Sequence, residues 1–353
     1  MKKINLVKGM SEVLPAELKQ YEYLSDMIND ISKTYGYRRI KTPLLHKKEA
    51  VNDFGDNNFC FKDEEQEEIC LRPSGSIPLI QTIVYNKLYL DPHLPLKFSY
   101  LDNIYKYYPS HIEGERETLE YGFECFGEDS SYLNAELILM ATRILYFIGL
   151  DKVSVRMKNI SKRSLSSLKG TLLKYKVDIE DDNSITNSDN LFSDFIFEID
   201  VTYKNKKHLV AKGGGHTNIV KSLGNKNHQS VGFSFNIDKM VDLMNKLNLF
   251  PDMSDQFDFY VFSEDNSGLF SANFVSLLLR DVGLRVDVCY TGISEVEAIK
   301  KARRKNIPYA IIVGESFEEN EEVEIINVFK DNKSNIRLED LINGITHESE
   351  EKH

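Results

Sequence analysis

Three strings in this sequence carry residue types that could do chemistry. Gly213-Gly214-Gly215 is followed directly by His216. Such a triplet can cradle a phosphate through successive backbone N–H groups, with an imidazole beside it as a base. It can equally serve only to let a strand pass close beneath a neighbour, the commoner use of clustered glycines. Glu124 lies in Leu119–Phe126, a stretch that reads as a central strand, where a carboxylate either meets a ligand or is held in a buried ion pair. Lys300-Lys301-Ala302-Arg303-Arg304-Lys305 could meet RNA phosphates, or form a solvated helix face. Tyr100, Tyr105, Tyr107 and Tyr108 suit strand packing better than a base-stacking platform. The 8 histidines and 4 cysteines contain no pair at zinc-ligand spacing, so no metal is expected. Cys60, Cys70, Cys125 and Cys289 are scattered, and reduced, buried thiols are expected rather than a disulfide frame.

The elements that must position these residues can be read from periodicity and punctuation. Pro15 fits a first helical turn, and Leu18, Tyr21, Leu24, Ile28, Ile31 and Tyr35 follow at helical spacing up to Gly36. Tyr37–Thr42 predicts a strand closed by Pro43. Phe59–Lys62 and Glu68–Leu71 predict a hairpin around the acidic run 63–68, and Gly75–Tyr85 a helix. Lys97–Leu101, Ile104–Tyr108 and Leu119–Phe126 read as strands, and Asn134–Ile148 as a helix capped by Asn134 and Gly149. Phe195–Tyr203 and Lys207–Ala211 read as a hairpin, followed by helices near Ile219–Leu223 and over Met240–Asn248. Residues 257–345 then alternate strand, helix, strand, helix, strand, which signals a small α/β domain.

Charge supports a boundary in the same place. The 353 residues carry 44 Lys+Arg and 55 Asp+Glu, a net charge of −11. Residues 255–353 hold 20 acidic and 11 basic side chains, which is −9 of that total. The organisation expected is a core over 1–250, a domain over 255–345 and a frayed polar tail over 346–353. No run of 18 apolar residues and no apolar leader are present, so a cytoplasmic protein with no membrane contact is expected.

Several strings together resemble the histidyl-tRNA synthetase family, a class II synthetase fold. Lys8–Pro15 (KGMSEVLP) and Tyr35–Pro43 (YGYRRIKTP) resemble its opening and its motif 1 strand. Leu71–Ser76 (LRPSGS) resembles its L-R-P-E-G-T, and Glu115–Gly127 the end of its motif 2. Asn134-Ala135-Glu136 is similar to its D-A-E, and Gly213–Gly215 with Val231-Gly232-Phe233 to its motif 3. Leu279–Val288 and Ile307–Glu315 are similar to its anticodon-binding domain. The resemblance implies an α+β class II synthetase-like core, an antiparallel sheet with flanking helices, plus a C-terminal α/β anticodon-binding-like domain. It also implies that an insertion domain between motifs 2 and 3 is missing, with Lys152–Asn190 as a connector.

The resemblance further assigns a remnant ligand pocket to Ser74, Lys106, Glu120, Glu124, Phe192, Gly213, Gly214, Gly215 and Lys239. Of these, Ser74 stands where the family has a glutamate, Lys106 where it has a phosphate-binding arginine, and Glu120 where it has a glutamine. Tyr108 replaces a further motif 2 glutamate. Asn187 stands at the catalytic arginine, Phe192 at a tyrosine, and Lys239 at the adenine-stacking arginine. His216-Thr217-Asn218 replaces R-Y-D, and Glu124 is retained. A lysine cannot make the bidentate fork that an arginine offers phosphate.

With all three arginines replaced, no catalytic residue is expected. The resemblance implies a degenerate relative acting as a regulatory subunit of ATP phosphoribosyltransferase in histidine biosynthesis, with the short catalytic subunit as partner. The alternatives are a divergent, active histidine–tRNA ligase, which alone would need ATP and Mg²⁺, and a non-enzymatic tRNA-binding or scaffolding module. A homodimer is implied by the motif 1 proline strand. The acidity of the C-terminal domain argues against tRNA as a partner.

Overall fold

The structure is a computed structural model that describes residues 5–51, 57–108, 115–128, 130–161, 164–187, 190–225, 228–254 and 256–350. The chain divides into two compact units, Met1–Met253 and Ser254–His353.

In chain order the first unit contains α1 (Pro15–Thr34), β1 (Arg38–Arg39), β2 (Leu45–Lys47), β3 (Cys60–Lys62), β4 (Glu68–Leu71) and α2 (Ser76–Tyr85). It continues with β5 (Leu96–Tyr105), β6 (Glu117–Phe126), α3 (Ser131–Phe147), β7 (Val153–Asn159), α4 (Ser166–Lys174) and β8 (Ile179–Asp181). It closes with β9 (Phe195–Tyr203), β10 (Lys206–Gly215), α5 (Thr217–Ser222), β11 (Ser230–Asn236) and α6 (Ile237–Lys246). Eight strands form one sheet in the order β1-β5-β6-β11-β10-β9-β7-β8, and β2-β4-β3 form a second, small sheet. The large sheet is antiparallel except at its two edges, where β1 joins β5 and β8 joins β7 in parallel.

Side-chain parity sorts the faces of the large sheet, because alternate residues of a strand point to opposite sides. Tyr121, Phe123 and Cys125 of β6, Val231, Phe233 and Phe235 of β11, and Phe195, Phe197 and Ile199 of β9 all enter one buried apolar cluster. Residues of α1, α3 and α6 complete that cluster, Leu24 and Ile28 from α1 among them. Helix α3 buries Leu137, Ile138, Met140, Ile144 and Leu145, each contributing roughly 1.5–3 kcal/mol of transfer free energy. The opposite parity carries polar groups: Glu120 and Glu124 of β6, Ser230 and Ser234 of β11, Lys212 of β10, Glu198 and Asp200 of β9. That polar face is where the site forms.

The second unit contains β12 (Phe259–Phe262), α7 (Leu269–Asp281), β13 (Val286–Val288), α8 (Glu295–Arg304), β14 (Tyr309–Ile312), α9 (Glu315–Asn320), β15 (Glu322–Asn327), β16 (Asn332–Arg337) and α10 (Leu338–Glu350). Its sheet runs β13-β12-β14-β15-β16, parallel over the first three strands and antiparallel over the last two. Among the described residues, no helix is long and apolar enough to cross a membrane.

Several sequence expectations need correction. Lys97–Leu101 and Ile104–Tyr108 are not two strands, because β5 runs unbroken from Leu96 to Tyr105. The strand expected over Tyr37–Thr42 shrinks to Arg38–Arg39. Ser130, not Asn134, caps α3, its hydroxyl accepting from the Tyr132 N–H. The stretch Lys152–Asn190 is no mere connector: β7 and β8 extend the large sheet and α4 packs on α3. The tail is helical through Glu350, and 351–353 lie outside the described residues. Cys60 and Cys70 are not free thiols. The β3–β4 register sets them directly opposite, with Cα atoms 3.9 Å apart, and they form a disulfide. Cys125 and Cys289 are free and buried.

Candidate functional site

A cleft of about 240 Å³ opens on the polar face of the large sheet. Of the residues assigned from the sequence, Ser74, Lys106, Glu120 and Phe192 line it, together with Asn187 and His216. Glu124 does not line it and sits fully buried behind His216. Lys239 is exposed on the first turn of α6 and is not among the lining residues. Tyr108 is not a lining residue either; its carbonyl accepts from the Arg116 guanidinium.

The polar side chains around the cleft are held largely by the chain itself. His216 Nδ1 lies 3.1 Å from Glu124 Oε2 in hydrogen-bonding geometry and 3.0 Å from Oε1. The Ser230 hydroxyl donates to Oε2 at 3.0 Å. With Glu124 and His216 both nearly inaccessible, the imidazole and the Ser230 hydroxyl meet Oε2 of a carboxylate that is costly to bury, while Oε1 lies beside the imidazole without a hydrogen bond of its own among the described residues. The imidazole stacks on the Phe192 ring at 5.1 Å between centroids. Asn187 uses both ends of its amide on the Phe192 backbone, donating to the carbonyl at 2.8 Å and accepting from the N–H at 3.2 Å. The Ser74 hydroxyl accepts from the Ser76 N–H and so starts α2.

The glycines explain why β10 and β11 can approach this arrangement. Gly213 and Gly214 are paired in register on both sides, to β9 and to β11, so their backbone belongs to the ladder rather than to a cradle. A Cβ on Gly213 would press on Phe197 at 2.6 Å, and one on Gly214 on Phe192 at 2.8 Å. Gly215 runs beside Asp194. Gly232, opposite Glu124 in β11, has no room for a side chain because a Cβ would strike the Glu124 carboxylate.

Sequence reasoning missed four polar lining residues: Ser76, Thr186, Lys212 and Ser234. Lys212 and Ser234 could have been found by carrying strand parity from Glu124 and His216 along β10 and β11. Lys212 bridges Glu198 at 3.1 Å and donates to the Thr186 carbonyl at 2.8 Å. The Tyr100 hydroxyl hydrogen-bonds Ser76 and Ser234, and burial, reinforced by the nearby Glu120 and Glu124 charges, pushes its pKa far up.

Two arginines brace the walls. Arg72 pairs with Asp102 at 2.8 Å and donates to the Asn103 carbonyl at 3.2 Å, which ties the loop before Ser74 to β5. Arg156 of β7 joins Asp182, Glu198 and Asp200 at 2.6, 2.9 and 2.7 Å. Asp182 is pulled down to about 2, first by the Ser184 hydroxyl and then by Arg156.

Activating an amino acid on ATP requires its carboxylate to displace pyrophosphate at the α-phosphate, with cations holding the phosphates. Here no arginine lines the cleft among the described residues, and Glu120 is its one lining carboxylate. No group of three or more His, Cys, Asp or Glu among the described residues could hold a metal ion. The volume also falls below the roughly 300–1,000 Å³ usual for small-ligand sites. The cleft's lining cations are Lys106 and Lys212, so phosphate there would meet ammonium groups rather than a guanidinium fork.

An eight-stranded, mainly antiparallel sheet with a polar cleft, followed by a separate α/β unit, defines a class II synthetase-like core with an anticodon-binding domain. A model of the histidyl-tRNA synthetase family matches residues 9–169, and one of the anticodon binding domain matches residues 272–348. Over those two segments the chain resembles a histidyl-tRNA synthetase catalytic domain and an anticodon-binding domain. The histidine–tRNA ligase of Acholeplasma laidlawii is 21% identical over 412 residues, covering 96% of this chain and 98% of that protein. That of Mycoplasma mycoides is 22% identical over 377 residues, covering 87% and 91%. The apo histidyl-tRNA synthetase of S. aureus superposes with a TM-score of 0.85 at 20% identity, covering 97% of this chain and 99% of that one. A Bacillus halodurans structure described as an ATP phosphoribosyltransferase regulatory subunit/histidyl-tRNA synthetase superposes at 0.70 with 16% identity, covering 89% and 99%.

Proposed function

We propose that this chain is a synthetase-like protein that has lost amino-acid activation and acts as a homodimeric, cytoplasmic regulatory subunit for a short ATP phosphoribosyltransferase catalytic subunit. The observation that carries the loss of activation is the enclosure of Glu124. One oxygen of the family's retained carboxylate is engaged by His216 and Ser230, and the whole group is buried rather than left open to a ligand. Asn187, standing at the catalytic arginine, is likewise spent on the Phe192 backbone. The description of the Bacillus halodurans structure supports the regulatory role. Co-purification of the tagged chain with a short phosphoribosyltransferase subunit, with a change in that subunit's activity, tests the reading. Failure of the two to associate overturns it.

The second reading, an active divergent histidine–tRNA ligase, is favoured by the names of the relatives and by the matched anticodon binding domain. It requires Lys106 to do the work of an arginine. Histidine-dependent ATP–pyrophosphate exchange separates the two.

A further inference from the structure

We infer that the Cys60–Cys70 disulfide is a redox clamp on the Lys106 wall of the cleft, opened by a dithiol reductant. The inference holds whichever ligand the cleft takes.

The two strands that the disulfide joins are anchored very differently. β4 is the central strand of its sheet, and the residue after it, Arg72, is tied down on every side. Its guanidinium meets Asp102, the Asn103 carbonyl and Thr42, its N–H donates to the Leu44 carbonyl, and its own carbonyl accepts from Tyr105. Ser74 and the start of α2 are therefore fixed without the disulfide.

β3 has only three residues and one strand partner, and Phe61 and Lys62 are exposed. So short an edge strand is marginal by itself. Yet β3 and the residues leading into it brace the end of β5. Asn58 bridges Lys106, the Asn57 carbonyl accepts from the Tyr107 N–H at 2.8 Å, and the Phe59 and Tyr107 rings meet edge to face at 5.9 Å. The disulfide thus joins a firmly held strand to the weakly held one that supports Lys106.

Cys70 is fully buried and Cys60 only partly, so the Cys60 side is the one from which a reductant would approach. A thiolate of the dithiol attacks Cys60 Sγ, the S–S bond breaks, and Cys70 leaves as a thiolate that takes a proton. The second thiol of the reagent resolves the mixed disulfide. Cys60 is released as a thiol, and the reagent leaves as its cyclic disulfide, having supplied two electrons.

Hydrogen–deuterium exchange on the full chain, purified in air and compared with and without dithiothreitol, tests the clamp. Non-reducing peptide mapping should first show Cys60 joined to Cys70. Reduction should then speed backbone exchange in residues 57–62 and 104–107 by roughly ten- to a hundredfold, the scale of constraint a short disulfide loop supplies. Residues 72–85 should not change. Cys60→Ser should show the fast pattern with or without reductant. Four free thiols in the denatured, air-purified protein in place of the two of Cys125 and Cys289, unchanged exchange at 104–107, or an equal rise over 72–85 would each overturn the inference.

Discussion

His216 Nδ1 sits 3.0–3.1 Å from both carboxylate oxygens of Glu124, two residues 92 positions apart in the chain, where the pair closes the floor behind the cleft. Removing the imidazole strands a buried carboxylate with Ser230 as its remaining partner. His216→Ala should lower unfolding stability by about 3 kcal/mol in urea titrations. Glu124→Gln should relieve part of that loss in the double variant. Additive losses would show that the two side chains do not act as a pair.

Gly232 tests the same enclosure from the other side. Gly232→Ala places a methyl group against the Glu124 carboxylate and 2.5 Å from the Phe123 carbonyl. The substitution should cost about 1–3 kcal/mol, read as a lower urea midpoint, since a central strand has no slack to absorb it.

The Arg156 cluster makes acid stability predictable in sign. Asp182 has its folded pKa depressed to about 2 by Ser184 and Arg156. Its contribution is present above the unfolded value of about 3.9 and is lost as pH falls through that value toward 2. Thermal scans should therefore show the wild type losing more Tm between about pH 4 and pH 2 than Asp182→Asn does. Their difference should stay flat from about pH 5 to 8.

The two free thiols should differ in reactivity. Burial pushes Cys125 up to about 12. Burial also raises Cys289, but hydrogen bonds with Tyr260 and Thr291 and the Lys301 charge bring it below its ordinary value. Iodoacetamide at neutral pH should label Cys289 at least roughly tenfold faster than Cys125, as followed by peptide mass spectrometry.

Periodicity was enough to place α1 from Leu24 and Ile28 and to bound β9 at Phe195 and Tyr203, because each element buries one face or both. The order of motif-like strings sufficed for the class II core. Pairings distant in sequence were not readable, because they depend on strand register. Glu124 with His216, Cys60 with Cys70 and Lys212 with Glu198 all follow from which residues the sheets set opposite or beside each other. A composition that favoured free thiols could not reveal that β3 and β4 align two cysteines. The role of Lys152–Asn190 was hidden for the same reason: Val155 and Met157 alternate like a strand, but only the sheet shows that β7 delivers Arg156 to three carboxylates.

Histidine-dependent ATP–pyrophosphate exchange with the folded full-length chain is the most direct measurement of the central claim. The account expects no exchange above the protein-free background at saturating histidine, ATP and Mg²⁺, because the Glu124 carboxylate is engaged by His216 and Ser230 and no arginine lines the cleft. Exchange that saturates with histidine and disappears in Lys106→Ala would contradict it.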